Sequence, residues 1–364
     1  MIRRIWTFLT DHVDGVLLAF LLLLLGTGLT VLYSASGGSW QRVSAQIVNA
    51  AVAFGAMWLV AQVPPQHLAR LAPPLYALGL ALLIAVALAG DVVNGARRWL
   101  NIGVTRIQPS ELMKLAVPLM LAWWFHTHEA TLRVRDFAVA AVLLLAPVLL
   151  IAKQPDLGTA VLILASGTFV LFLAGLSWKL MAALGGAGLA AAPLIWSVMH
   201  DYQRRRILTL LDPMEDPLGA GYHTIQSTIA VGSGGLFGKG WTQGTQSHLE
   251  FIPERTTDFI FAVYSEEFGL FGNMILLILF MLVITRGLVI TVSAPTLFTR
   301  LVAGAITLTF FTYAFVNMGM VSGILPVVGV PLPLISYGGT SLVTLLLGFG
   351  ILMSIQTHRK LVKT

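Results

Sequence analysis

Cysteine is absent. Disulfides, Cys-ligated zinc, iron–sulfur clusters and thiol nucleophiles are therefore excluded. Charge is scarce as well. Asp, Glu, Lys and Arg make up 10% of the 364 residues, against about 25% in an average soluble domain. Strict apolar–polar alternation, the mark of a membrane β-barrel, is missing too. What fills the chain is apolar sequence: 57% of residues are hydrophobic and mean hydropathy is +0.85. No soluble fold hides that much apolar surface. The composition predicts an all-α fold, a polytopic membrane bundle. Its 35 glycines and 16 prolines suit membrane helices, where Gly lets backbones approach and Pro breaks are tolerated inside a bundle. The net charge of +6 fits basic cytoplasmic loops and an anionic substrate, and does not call for nucleic acid.

Apolar runs near 16–33, 47–63, 75–90, 111–125, 137–152, 159–175, 180–198, 268–292, 301–320 and 341–356 predict about ten transmembrane helices. They form one integral-membrane domain over 1–364, with a large outer loop at about 199–267. The first run, ahead of Ser34-Ala35-Ser36, has the outline of a signal peptide. So many similar runs follow that a retained first span is expected. No internal repeat is evident, which weakens an inverted-repeat transporter reading. Ten spans put both ends on one side. Basic residues divide almost evenly between the two sides. Those on the outer side sit in long connections or beside acidic residues, so the termini are expected to be cytoplasmic.

Five stretches carry chemistry. GSGGLFGKGW departs from both phosphate-loop and dinucleotide patterns: Ser233 replaces the first Gly, and Gly240 stands where Ser or Thr should follow Lys239. A flexible loop offering Lys239 to an anion is the expectation. Glu111 and Lys114 share one helix face at i, i+3. They read either as a local ion pair behind a Ser110 cap or as a pathway pair, because a lysine inside an apolar span is expensive. Lys153 and Asp156 read as a polar turn or as a charged pair at an outer mouth. EFIPERTTDFIFAVYSEEFG holds Glu254, Arg255 and Asp258 directly before an apolar helix, so Asp258 is a helix cap or a reactive carboxylate. Continuous helix from Phe259 to Arg286 would be about 42 Å long, beyond the roughly 30 Å hydrocarbon core, so it should project or kink. Finally, SYGGTS opens the last span, with Ser336 and Thr340 as a cap or as an anion site of exposed helix N–H groups.

KGWTQGTQSHLEFIPERTTDFIFAVYSEEFG, with DPLGAGYHTIQS before it and LPLISYGGTS after it, resembles the SEDS family of shape, elongation, division and sporulation proteins. ARRWLNIG, QPSELMKLA and KQPDLGTA extend the resemblance over nearly the whole chain. GTQSHLEFIPER and YGGTS look more like the rod-shape branch than the division branch. The resemblance implies a ten-helix peptidoglycan glycosyltransferase. It would polymerise lipid II, the undecaprenyl-pyrophosphate-linked disaccharide pentapeptide, on the periplasmic face of the bacterial inner membrane. Its implied partner is a class B penicillin-binding protein, the transpeptidase that crosslinks the strands. The resemblance also makes Asp258 the catalytic aspartate.

That chemistry has recognisable requirements. The donor linkage is α and the product β, so one inversion needs one carboxylate base and cationic or helix-end stabilisation of the departing diphosphate. Asp258 suits the base. Arg255, Lys239, Arg204 to Arg206, Lys114 or a divalent cation (Mg or Mn) suit the diphosphate. Glu111, Lys153, Asp156, Glu254, Ser336 and Thr340 complete the expected substrate contacts. A flippase for lipid-linked precursors and a non-catalytic scaffold for the transpeptidase are the alternative readings.

Overall fold

The computed structural model describes residues 11–93, 96–101, 106–199, 201–215, 217, 219, 221–249, 251–252 and 254–358. The tail residues Arg3, Arg4, Arg359, Lys360 and Lys363, on which the expected topology leans, lie outside that set.

Three helices open the bundle: α1 (Gly15–Ala35), α2 (Trp40–Ala61) and α3 (Pro65–Ala89). The first two are capped by the residue just ahead of them. Asp14 accepts from the Leu17 amide and Ser39 from the Arg42 amide, satisfying donors that a helix start leaves open. Between α3 and α4 (Pro109–Thr127) lies a small antiparallel sheet that the apolar pattern does not announce: β1 (Asp91–Val93), β2 (Ala96–Asn101) and β3 (Arg106–Ile107). Asp91 faces Trp99, and Leu100 faces Ile107. The bundle continues with α5 (Val134–Lys153) and α6 (Leu157–Leu173), then a pair broken at Ala191, α7 (Trp178–Ala190) and α8 (Ala192–Val198). The long connection folds as α9 (Asp201–Leu211), α10 (Tyr222–Ser233) and the single turn α11 (Thr245–His248). It leads into α12 (Ile260–Val292), α13 (Leu297–Val321) and α14 (Thr340–Thr357).

Among the described residues, seven helices are long and apolar enough to cross a membrane. The other three expected spans correspond to α4, which carries a charged pair, to the short α6, and to the broken α7–α8 pair. The protein is a polytopic helical membrane protein. In α13, 61% of the apolar window is buried, and in α14 56%, against 28–39% in the other spanning helices. These two therefore form the centre, sealed by Phe280 of α12, Phe310 of α13 and Phe349 of α14 packed in series. The outer helices turn leucines and valines outward, as a lipid-facing surface requires.

The expected break in the long helix falls at Gly269, whose φ of 64° and ψ of −162° interrupt α12. The freed backbone is met by the glycine-rich loop. Lys239 and Gly240 donate their amides to the Glu266 and Glu267 carbonyls, both at 3.0 Å, and Leu270 and Phe271 donate back to Gly235 and Leu236. Glycine is required there because the backbones touch: a Cβ at Gly238 would sit 2.1 Å from the Glu267 carbonyl oxygen. GSGGLFGKG is thus a mortise for the kink, which accounts for Gly234 and Gly238, where a Cβ would meet the Ser265 and Glu267 carbonyls.

Candidate active site

Asp258 lies in the turn 254–259, at the head of α12. It is not the cap of that helix. The cap position is Phe259, and no side chain bonds the first amides. Instead the turn is stitched to α13 and to the connection between α13 and α14, residues 322–339. Three successive carbonyls accept in a row. Thr256 O takes the Tyr337 amide at 2.9 Å, Thr257 O takes the Ser336 hydroxyl at 2.6 Å, and Asp258 O takes Asn317 Nδ2 at 2.8 Å. The connection passes so close that a Cβ at Gly329, where φ is +74°, would stand 3.3 Å from Asp258 Oδ2.

This seat changes the carboxyl group. Burial and the neighbouring Glu254 push the Asp258 pKa up to about 6, against the opposing pull of Arg206. Desolvation and a like charge both penalise the ionised form, and a cation nearby favours it. The result is a carboxylate that is ionised at neutral pH yet poised to take a proton. Glu254 holds a left-handed φ of 49°, and its Oε2 accepts from the Thr257 hydroxyl at 2.9 Å. Behind the turn, His223 of α10 stacks on Phe259 at 5.6 Å between ring centroids.

Two cavities flank the connection. One, of about 210 Å³, is lined by Arg205, Arg206, Thr209 and Thr224 against Leu325 and Val327. The other, of about 510 Å³, has a polar rim of Asn49, Gln108, Glu111 and Thr340 and an apolar floor running down Leu112, Leu115, Val343 and Leu347. Lys114 lies beside it at the edge of the bundle core. Its ammonium is 2.6 Å from Glu111 Oε1 and sits over the Tyr313 ring, 5.3 Å from the centroid.

The structure therefore brings Glu111 and Thr340 to one groove, while Lys114, paired with Glu111, lines a smaller neighbouring cavity with Ser166, Tyr313 and Thr344. Asp258, Glu254 and Arg255 share one turn, with Arg206 close by. Asp156 caps α6, accepting from the Thr159 amide and from Gln108 Nε2, both at 3.2 Å. The first turn of α6 touches the connection, with Gly158 against the Val328 carbonyl. Lys153 is exposed at the end of α5. Arg204 points back onto α8, donating to the Trp196 and Ser197 carbonyls at 3.0 and 2.9 Å. Its neighbours Arg205 and Arg206 face the cavity. Lys239 is drawn inward, 2.7 Å from both Glu266 Oε1 and the Thr245 hydroxyl. Ser336 is buried and engaged, since it also accepts from the Leu332 amide at 2.8 Å. The Ser336–Gly338 turn is held by Gln46 of α2, which donates to Ser336 O and accepts the Gly338 amide.

Asn317, Gln46 and Tyr313 were not singled out by sequence reasoning. The available signal was a polar side chain within an otherwise apolar span. Among the described residues there is no group of three or more His, Asp or Glu side chains placed to hold a metal ion.

Residues 15–361 match the family model of FtsW, RodA and SpoVE, described as cell cycle proteins. The chain is 53% identical over 351 residues to the peptidoglycan glycosyltransferase MrdB of Escherichia coli K12, covering 96% of this chain and 95% of that protein. Among solved structures it is similar to a chain of a peptidoglycan synthase complex described as coordinating polymerization and crosslinking. That match has 34% identity and a TM-score of 0.82, over 95% of this chain and 98% of the other. It is also similar to the rod shape determining protein RodA of Thermus thermophilus, with 30% identity and a TM-score of 0.72, over 96% and 98%. A match over nearly the whole length, at these identities and on the same helical frame, places the chain in the FtsW/RodA/SpoVE family, the SEDS proteins.

Proposed function

We propose that the protein is a peptidoglycan glycosyltransferase that polymerises lipid II during cell elongation and rod-shape maintenance. The observation that carries this reading is the seat of Asp258. A single carboxylate, raised to about 6 by burial and Glu254, stands at the head of a membrane helix beside a cavity lined by two arginines. An inverting transfer asks for one base that accepts the proton of the attacking sugar hydroxyl. It also asks for positive charge where the diphosphate leaves with the electron pair of the broken glycosidic bond. Arg205 and Arg206 supply that charge at the cavity beside Asp258, and Lys114, beside Glu111, is the alternative source. The groove at Glu111 and Thr340, polar at its rim and apolar below, suits a molecule with a polar headgroup and a polyprenyl tail. No dedicated carboxylate cage is present among the described residues, so Mg²⁺ or Mn²⁺ would be held chiefly by the phosphates of the substrate.

The active site faces the periplasm from the inner membrane, and the termini are cytoplasmic. An impermeant thiol reagent should label a cysteine placed at Gln243 from outside and leave one at Thr364 unlabelled. The opposite pattern would sink the orientation and the mechanism with it. The partner is a class B penicillin-binding protein anchored by a membrane helix. An apolar groove of about 290 Å³ between α12 and α13, lined by Phe261, Met281, Phe311 and Phe315, offers such a helix a seat.

The test is purified protein, alone and with a co-expressed transpeptidase, supplied with lipid II. Glycan strands are expected, with more in the presence of the partner. Translocation of lipid II across a vesicle without strands would instead make the protein a transporter. Neither product would leave a scaffold.

A further inference from the structure

Asn317 lies on the buried face of α13, 0% exposed, in the centre of the bundle. Its amide nitrogen donates twice, to Asp258 O at 2.8 Å and to Val330 O at 2.7 Å. Both acceptors are carbonyls, so the NH₂ group must face them and the orientation of the amide is not arbitrary. Its Oδ1 is then left buried without a hydrogen-bond partner among the described residues. A buried polar group held unsatisfied costs stability, and a fold selected for stability alone would avoid it. The amide joins two segments that are far apart in sequence, the turn bearing Asp258 and the 322–339 connection. Ser336 repeats the device one carbonyl earlier, joining Thr257 O to the Leu332 amide.

We infer that Asn317 is the positioning residue of the site, and Ser336 its second point: together they hold the main chain of Asp258 so that its carboxylate faces the reacting sugar. The inference rests on Asp258 being the general base, and it adds how the base is aimed. Neither residue touches substrate. Asn317 acts through the Asp258 carbonyl, and the packing of Gly329 against Asp258 Oδ2 leaves the carboxylate little freedom once the main chain is fixed. Among the described residues, the charged and titratable groups around it are Glu254 and Arg255 in its own turn, Arg206 on α9 and His223 on α10. Residues 328–330 of the connection are all apolar or glycine and contribute none.

The experiment is steady-state polymerisation of lipid II by Asn317→Leu and Ser336→Ala, as a function of pH. Asn317→Leu roughly keeps the volume and removes both donors. Displacing a catalytic group by about 1 Å costs on the order of 10²-fold, so its kcat should fall by about that factor, with KM for lipid II roughly unchanged. Ser336→Ala should show a smaller fall in the same direction. The acid limb of the profile separates aim from bulk damage. In the native protein it is expected near the Asp258 pKa of about 6. With the turn released toward water, it should move toward the ordinary carboxylate range. A loss of folded enzyme would lower the rate at every pH and leave the limb in place. Should Asn317→Leu not accumulate in the membrane, Ser336→Ala carries the same readout. Native kcat in these variants, or a reduced rate with the limb unmoved, overturns the inference. The two failures are distinct. An active Asp258→Asn enzyme removes the base itself, whereas an inactive one beside native Asn317→Leu and Ser336→Ala enzymes removes only the positioning.

Discussion

Asp258→Asn should abolish strand formation while leaving the protein folded. General-base catalysis contributes about 10²–10⁴-fold, and that is the fall expected in the rate of polymerisation from lipid II. The alternative role for this residue, a helix cap, would predict a stability loss of about 1 kcal/mol with the chemistry intact. The structure separates the two readings before any measurement, because the cap position belongs to Phe259 and no side chain bonds the helix start. The main-chain bond that holds residue 258 comes from Asn317 to its carbonyl, and the amide variant keeps it. Stability should even move the other way. The folded protein raises the Asp258 pKa from 3.8 to about 6, so ionising the carboxylate costs stability. That cost is absent below the unfolded pKa, where both states are protonated, and full above the folded value. The neutral amide of the variant would carry no such cost. The variant should therefore melt no lower than the native protein at pH 8, and the difference should vanish near pH 3. The native rate should drop as the pH falls through about 6, because the base becomes protonated. Near-native strand formation by a well-folded Asp258→Asn protein would falsify the assignment, and Glu254 in the same turn would be the next carboxylate to test.

How far the fold was legible follows from which interactions are local. Apolar runs and caps are local. The spans and the need for a break in α12 could be read from residue order and the thickness of a bilayer, whereas the cap read at Ser110 falls inside α4, whose cap position is Gln108. The place of that break could not. Gly269 bends because Gly238, thirty-one residues earlier, brings a backbone against it, and nothing in either neighbourhood names the other. Ser336 illustrates the same limit. Its setting in SYGGTS reads as a helix start open to a ligand, yet its hydroxyl is spent on Thr257, seventy-nine residues away. Lys239 looks like a cation offered to an anion, but Glu266 claims it at 2.7 Å. The three-stranded element between α3 and α4 went unforeseen because β1 and β3 have only three and two residues and the six of β2, ARRWLN, do not alternate apolar with polar. Charge-bearing residues stand out because charge is rare in this chain, yet the Asp14–Arg286 pair was not among those singled out. The neutral polar residues Asn317, Gln46 and Tyr313 stand out less, although they do much of the positioning.

Lys114→Met should lower polymerisation by about 10²-fold, the scale of removing one electrostatic contact to charge that develops in a transition state. Lys114 is 9% exposed and belongs to a helix whose buried face is otherwise apolar apart from Ser110. Its ammonium is balanced by Glu111 at 2.6 Å and by the face of the Tyr313 ring. A buried pair of this kind is weak evidence of a stability role, because desolvation consumes most of the Coulomb gain. Removing one member is costly all the same, about 3–5 kcal/mol, since the other charge is left behind. A single substitution therefore cannot tell a structural pair from a substrate contact. The double variant Glu111→Gln with Lys114→Met can. If the pair is only structural, removing both charges should restore the melting temperature and the activity together. If the ammonium meets the diphosphate at the rim of the groove that Glu111 and Thr340 share, the double variant should recover its melting temperature and remain slow. Activity that returns along with stability would assign the pair to the fold alone. The burden of the leaving group would then shift to Arg205 and Arg206, across the connection that holds Asp258.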